Sequence, residues 1–330
     1  MSILVTGASG FIGLNLLETL LQKEVHVTAF SHDAIPVYAL QKLQALPGTL
    51  TCLQGDISDA KTVQSLFSTR TITHVVHAAT ITASPTMPAT QVQHVLNVNV
   101  IGTELLLRAA QAASVQRFLL ISSSAVNGNA PFDQAPLDES SPTQPLALYG
   151  YTKLMTEQLA NLWHQQTGLD VITARLTAIF GPWERDTGVR GTLSPPFQLA
   201  LQALRGEATV ICTAGQRDWT LSSDISNGLA TLLFAQAPKH RLYNLASGEL
   251  WHVRTFCQAL APLFPQWSWR EDSDPSLSTL HYNDDLQRPR ISPMRADRYS
   301  EEFGVHFTPS VQSVQQYAQW VLEHAPFLLT

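Results

Sequence analysis

Ile3-Leu4-Val5-Thr6-Gly7-Ala8-Ser9-Gly10-Phe11-Ile12-Gly13 stands near the head of the chain. An apolar run, three glycines three residues apart, and then Leu16, Leu17, Leu20 and Leu21 at helical spacing read as strand, tight turn and helix. A side chain at Gly7 or Gly10 would hold the backbone N–H groups and the positive helix end away from an anion, and one at Gly13 would push the helix off the strand. The pyrophosphate of a dinucleotide fits such a turn, with Gly7, Ser9, Gly10, Phe11, Ile12 and Gly13 around it. The spacing is Gly-x-x-Gly-x-x-Gly rather than Gly-x-Gly-x-x-Gly, and an ordinary glycine-rich connection is the competing reading.

Beyond the turn, strand signals at 3–5, 25–30, 50–53, 74–79, 118–122 and 171–176 alternate with stretches of helical period. This predicts βαβ units, a parallel sheet covered by helices on both faces, and ligand at the carboxyl ends of the strands. A chain of 330 residues that is 45% hydrophobic can build one large domain or a main domain with an appendage. Charged residues make up 14%, the net charge is −6 and no basic run occurs, which argues against nucleic acid or an anionic membrane as partner. Cys52, Cys212 and Cys257 read as reduced, buried thiols of a cytoplasmic protein. The first apolar stretch is short, lacks a basic leader and is needed as a strand, so no signal peptide is expected. No apolar run approaches transmembrane length.

The second strand ends Ala29-Phe30-Ser31-His32, without the carboxylate that would accept from an adenosine ribose and repel a 2′-phosphate. Ser31 or His32 could tolerate that phosphate, yet no arginine follows to grip it. The cofactor is therefore NAD or NADP, with a lean toward NADP; His32 reads equally well as a solvated loop residue. Asp56 and Ile57 follow the third strand, where Asp56 could accept from the adenine amino group or cap the helix beginning near Asp59. His77-Ala78-Ala79-Thr80 ends the fourth strand, and small side chains at Ala78, Ala79 and Thr80 let the backbone approach a cofactor. His74 and His77 point to opposite faces of that strand, so no metal site is expected. Asn99, at the start of the next predicted helix, either orders the site or caps the helix.

The fifth strand delivers Ser122-Ser123-Ser124-Ala125-Val126-Asn127-Gly128 at its carboxyl end, and a connection bearing Pro131, Pro136, Pro142 and Pro145 leads to Tyr149-Gly150-Tyr151-Thr152-Lys153. Tyr149 and Lys153 lie on one helical face, one turn apart. An ammonium lowers the pKa of a neighbouring phenol, so Tyr149 could exchange a proton with an alcohol or carbonyl, Lys153 could hold ribose hydroxyls, and a strand serine could bond the reacting oxygen. Tyr38 and Lys42 have the same spacing but follow no serine-bearing strand end.

In the order glycine turn, serine, tyrosine, lysine, the chain resembles the extended short-chain dehydrogenases/reductases, the NAD-dependent epimerase/dehydratase family, over nearly its whole length. The resemblance implies an α/β fold: a Rossmann-type doubly wound parallel sheet at 1–180, segments of 208–246 returning to the sheet, and a smaller C-terminal substrate-binding part, mostly 181–330. It implies Tyr149, Lys153 and Ser123 as catalytic residues, with Ser124 as the fallback serine, and Asn99 as the family's helix asparagine. Arg175-Leu176-Thr177-Ala178-Ile179-Phe180-Gly181-Pro182 resembles the family's Arg-x-x-Asn-Val-Tyr-Gly-Pro, and Arg217-Asp218-Trp219 with Asp224 resembles its Arg-Asp-Phe and following aspartate. Tyr243-Asn244-Leu245-Ala246-Ser247-Gly248-Glu249 resembles the strand before its closing region.

The departures bear on substrate. Ala178 replaces an asparagine that touches substrate in nucleotide-sugar members, and Asn127 replaces a tyrosine. Near Asp285 and Arg288-Pro289 the earlier arginine-proline is absent, leaving Arg217 as a phosphate partner or as half of an ion pair with Asp218 or Asp224. No acid follows Ser123, which disfavours dehydration. Trp183-Glu184-Arg185-Asp186 and Arg190 read as a wall for a polar substrate or as a solvated loop. The stripe of Leu154, Met155, Gln158, Leu159, Leu162 and Trp163 reads as core packing, or as the face through which relatives form homodimers. The expected function is an NAD(P)-dependent oxidoreductase or epimerase acting on a sugar-like or nucleotide-sugar hydroxyl or carbonyl. The alternatives are a simple alcohol dehydrogenase or carbonyl reductase, and a non-catalytic dinucleotide-binding scaffold.

Overall fold

A computed structural model describes residues 1–83, 87–128, 136–187, 193–282 and 292–329. Pro131, Arg190, Asp285, Arg288 and Pro289 lie outside the described residues. The first half runs β1 (Ser2–Thr6), α1 (Phe11–Leu21), β2 (His26–Ser31), α2 (Val37–Gln44), β3 (Thr49–Gln54), α3 (Ala60–Ser68) and β4 (His74–His77). It continues through α4 (Val92–Leu96), α5 (Gly102–Ala112), β5 (Arg117–Ser123), α6 (Leu148–Thr167) and β6 (Val171–Leu176). The second half comprises β7 (Ile179–Phe180), α7 (Pro195–Arg205), β8 (Thr209–Cys212), β9 (Thr220–Leu221), α8 (Ser222–Phe234) and β10 (Leu242–Leu245). It closes with α9 (Arg254–Leu260), β11 (Trp269–Asp272), α10 (Asp297–Phe303), α11 (Ser310–Glu323) and α12 (Ala325–Leu328).

Seven strands form one sheet in the order β3-β2-β1-β4-β5-β6-β10, and every pairing is parallel. Parallel strands need crossover helices, and these cover both faces. Alternation along β1 shows the division: Ile3 and Val5 pack with Leu14, Leu17 and Leu20 of α1 and with α8, whereas Leu4 packs with Val63 and Leu66 of α3, Leu106 and Leu107 of α5, and Ala160 of α6. The register sets Thr6 against Phe30 and His77, and Ser123 against Leu176, so the strands' carboxyl ends gather at one edge. The remaining pairs, β7 with β9 and β8 with β11, are short two-stranded sheets; within 208–246 it is β10 that returns to the main sheet.

Three expectations are corrected. Cys212 and Cys257 are buried, but Cys52 is exposed because β3 is the sheet's edge strand and alternates toward solvent. Asn99 neither starts nor caps a helix: Val92 to Ala112 is one continuous helical run, interrupted at Asn97–Ile101 by a π-helical turn. On α6, Met155 and Leu162 are solvent-facing rather than core, as is Tyr151. Among the described residues no helix is long and apolar enough to cross a membrane.

Candidate active site

Gly7 adopts φ +68°, and a Cβ there would lie 2.6 Å from Ala79 N and 2.7 Å from the Ala78 carbonyl carbon. The turn after β1 therefore touches the backbone leaving β4, which is why Ala78 and Ala79 are small. At Gly13 a Cβ would sit 2.2 Å from Gly7 O, so this glycine lets α1 close onto the turn. Gly10 differs: its Cβ would meet only Gly7 O, at 3.2 Å, and face open space otherwise. Gly10 is also the N-cap of α1, with no side-chain cap and no acidic residue in the first turn. An uncapped positive helix end beside open space suits an anion. Thr80 Oγ1, at the same edge, is buried without a hydrogen-bond partner. These features fit a bound dinucleotide.

From this turn a buried hydrogen-bond chain runs to α6. Ala79 N donates to Thr6 Oγ1 (3.3 Å), and Thr6 Oγ1 lies 2.7 Å from His77 Nδ1. His77 Nε2 lies 2.9 Å from Thr103 Oγ1, which donates to the Asn99 carbonyl at 2.6 Å. Because Thr103 spends its hydrogen on Asn99, it can only accept from His77; the imidazole carries its proton on Nε2 and accepts from Thr6 at Nδ1. Burial drives the His77 pKa down to about 3, with the Lys153 charge adding to the effect, so the ring stays neutral at physiological pH. Asn99 then accepts from Ile81 N (2.7 Å) and donates to Ile81 O (3.0 Å) and to Thr152 Oγ1 (3.0 Å), while Thr152 donates to Tyr149 O (2.8 Å). The π-helical turn is what aims Asn99 between β4 and α6.

Tyr149, partly buried, occupies the first turn of α6, and Lys153 Nζ lies 5.7 Å from its ring centroid. Lys153 is buried and donates to Ile121 O of β5 at 2.8 Å. Burial lowers its pKa to about 8, and the charge of Glu157 opposes that fall. Glu157, one turn along α6, accepts from Ser122 Oγ (2.5 Å) and forms a buried two-point pair with Arg175 (2.9 and 2.7 Å), fastening α6 to β5 and β6. Ser123 is the N-cap of the short turn Ser124–Val126: its Oγ accepts from Ala125 N at 3.2 Å, which leaves its hydroxyl hydrogen available. Gly150 binds the halves together, since a Cβ there would lie 2.5 Å from Ala125 O. Tyr149 and the Ser123 turn are thus held against each other at the carboxyl edge of the sheet.

Residues 3–246 match the family described as NAD dependent epimerase/dehydratase. The chain belongs to that family, whose members are enzymes. It is similar to a dTDP-D-glucose 4,6-dehydratase of Bos taurus, with 27% identity over 98% of this chain and 89% of the relative. Another relative is UDP-glucuronate 4-epimerase 1 of Arabidopsis thaliana, 31% identical over 69% of this chain and 54% of that protein. In fold it resembles the UDP-glucose 4-epimerase of Thermotoga maritima solved with UDP-glucose (TM-score 0.79, 20% identity, all of both chains covered).

Within this family framework the other predicted residues divide. Ser31 is buried and its hydroxyl donates to Asp33 O at 2.8 Å, while His32 is exposed with Nδ1 3.1 Å from the Asp33 carboxylate. Asp33, two residues beyond the strand end, is the acid that inspection of positions 30 and 31 missed. Asp56 does not cap α3, because Asp59 does, accepting from Lys61 N and Thr62 N. The Asp56 side chain instead accepts from Ser58 N and Oγ, which holds its carboxyl below the usual range. Ile57 is buried, and a Cβ on Gly102 would lie 2.9 Å from its side chain.

On the substrate side, Ser124 is buried, Ala178 O accepts from Thr220 N (2.9 Å), and Thr177 Oγ1 is buried without a partner. Arg217 is held by paired backbone bonds with Trp251. Asp218 accepts from Met294 N and Asp224 from Thr308, so both acids are engaged by later backbone. The segment read as a substrate wall or solvated loop is neither at two of its positions, for Trp183 and Glu184 are interior. Gly150 and Glu157 escaped the sequence reading, because they sit inside a helical period where nothing marks them; Arg185, read as part of a substrate wall or solvated loop, instead donates to Ser9 O in the glycine turn.

Proposed function

We propose that this chain is an NAD-dependent epimerase acting at a sugar hydroxyl of a nucleotide-sugar substrate, as the names of its relatives suggest. The observation that carries the reading is Lys153 Nζ 5.7 Å from the Tyr149 ring, with Gly150 packed on the Ser123 turn. A nicotinamide cofactor, when bound, would supply reversible hydride exchange at the substrate carbon. Tyr149 takes the substrate hydroxyl's proton and gives it back; Lys153 favours the phenolate by its charge and bonds ribose hydroxyls. Ser123, with its O–H free to donate, holds the reacting oxygen. The glycine turn, Asn99 and the Ala78–Thr80 edge seat the cofactor, and Arg217 takes a substrate phosphate. Residues 181–330 act mostly as the substrate-binding part.

The preference is for NAD rather than the earlier lean to NADP. Ser31 has already spent its hydroxyl hydrogen, and the Asp33 carboxylate beside His32 would repel a 2′-phosphate and accept from a ribose. Dehydration is disfavoured because Ser124 and Ala125 supply no acid beside Ser123. A second reading, simple carbonyl reduction, draws on Ala178, which offers substrate no side-chain hydrogen bond. An intact serine, tyrosine and lysine count against a non-catalytic scaffold. The exposed Tyr151, Met155 and Leu162 on α6 support a homodimer.

Tyr149→Phe is expected to lower kcat by about 100- to 10,000-fold while leaving NAD affinity unchanged. Turnover at the wild-type rate would remove the assignment. Cofactor that survives purification favours epimerisation, and freely exchanging cofactor favours net redox chemistry.

A further inference from the structure

Trp183 has φ +68° although it is bulky and only 1% exposed, and Gly181 two residues earlier has φ +129°. A left-handed tryptophan persists only where its surroundings overdetermine it, and such strain gathers at ligand clamps. Its ring packs edge-on against Trp320, His324 and Phe327 at 5.4, 5.9 and 5.2 Å, and its Nε1 donates to Glu18 Oε2 at 2.8 Å. Asn15 Nδ2 donates to Pro182 O at 2.8 Å. Asn15 and Glu18 belong to α1, the helix whose N-terminus closes the glycine turn. The strained loop is therefore clamped to the body that forms the phosphate cradle.

What the clamp delivers is Arg185. Its guanidinium donates to Ser9 O, inside the turn, at 3.1 Å. Its Nε is buried without a hydrogen-bond partner among the described residues. Burial disfavours its charge, and the Asp33 carboxylate only partly opposes this. One carbonyl and an exposed carboxylate leave a half-buried cation undersatisfied, at the place where the cradle is open to an anion.

Resting on the proposed cofactor, we propose that Arg185 is a clasp: held across the glycine turn by the strained Trp183, its guanidinium grips the diphosphate of the bound dinucleotide. The competing possibility is that Arg185 ties loop to turn and touches no ligand.

Titration of the purified full chain with NAD, ADP-ribose and adenosine, at two or more salt concentrations, separates them. Arg185→Gln is expected to weaken NAD and ADP-ribose by about 10- to 100-fold, as for a hydrogen bond to a charged group, to leave adenosine unchanged, and to flatten the salt dependence of binding. Arg185→Lys keeps a point charge without the fork and should fall between. Thermal melting of both ligand-free variants within a few degrees of wild type certifies the fold; if Arg185→Gln fails that check, Arg185→Lys carries the comparison. ADP-ribose affinity within twofold of wild type, or equal losses for adenosine and NAD, would overturn the clasp. Failure of the wild-type chain to bind NAD, NADP or ADP-ribose would instead overturn the proposed function.

Discussion

In the proposed reaction Lys153 has two duties that pull against each other. Its ammonium must sit close enough to Tyr149 to favour the phenolate, and the burial that puts it there lowers its own pKa to about 8. This buried cation is thus close to discharging under ordinary conditions. Above pH 8 the free enzyme should lose the charge, so kcat/KM is expected to fall with a midpoint near 8 rather than above 10; a profile flat to pH 10 would contradict this role. Stability moves the other way. Between about 8 and the ordinary 10.5 the unfolded chain holds a proton that the folded chain has released, so this group's contribution makes stability rise with pH across that window. At this scale much was legible. Yet the local pattern alone would not have sufficed, because Lys42 Nζ sits 5.6 Å from the Tyr38 ring, almost the geometry of the Tyr149–Lys153 pair. Tyr38 packs against His324 and Phe327, far along the chain. Only the preceding strand end separates the two pairs.

Helix α6 is fastened to the sheet at three levels: Gly150 on the Ser123 turn, Lys153 on Ile121, and Glu157 between Ser122 and Arg175. The lowest level has no room to give. Gly150→Ala would put a methyl 2.5 Å from Ala125 O, and the relaxing shift would separate Tyr149 from Ser123. We expect a loss of about 1–3 kcal/mol in stability from overpacking and of roughly 100-fold in kcat from misplacement of the acid/base. Denaturant melts and steady-state rates measure the two, and a wild-type kcat would show that the contact does not position the tyrosine. Periodicity made α6 legible, with Tyr149 and Lys153 on one face. It did not reveal Gly150 or Glu157 as fasteners, because their partners lie on β5, β6 and a connecting turn. The π-helical turn at Asn97–Ile101 was illegible for a related reason: one extra residue in a helix leaves the apolar pattern nearly unchanged.

Across the whole molecule, the buried parallel strands were the most readable part. They are rich in apolar and β-branched residues, and Val171–Leu176 is buried at every position. β7 with β9 and β8 with β11 were not read, since strands of two to four residues exist only through partners distant in sequence. Cys52 was misjudged because strand order, which makes β3 an edge, is a property of the assembled sheet. The molecule also leaves Tyr151, Met155 and Leu162 exposed along one stripe of α6. If two copies cover that stripe, Met155→Glu combined with Leu162→Glu should convert a dimer to a monomer in size-exclusion chromatography with light scattering. An unchanged mass would place the dimer contact elsewhere or show that there is none.

The return of β10 to the sheet carries a cost during synthesis. β6 finishes at Leu176, yet its outer neighbour begins only at Leu242. At about 5–20 residues per second the ribosome needs roughly 3–13 seconds to make the interval. For that time a strand destined to be wholly buried stands with one edge of N–H and C=O groups unpaired, the kind of surface that invites a second nascent chain.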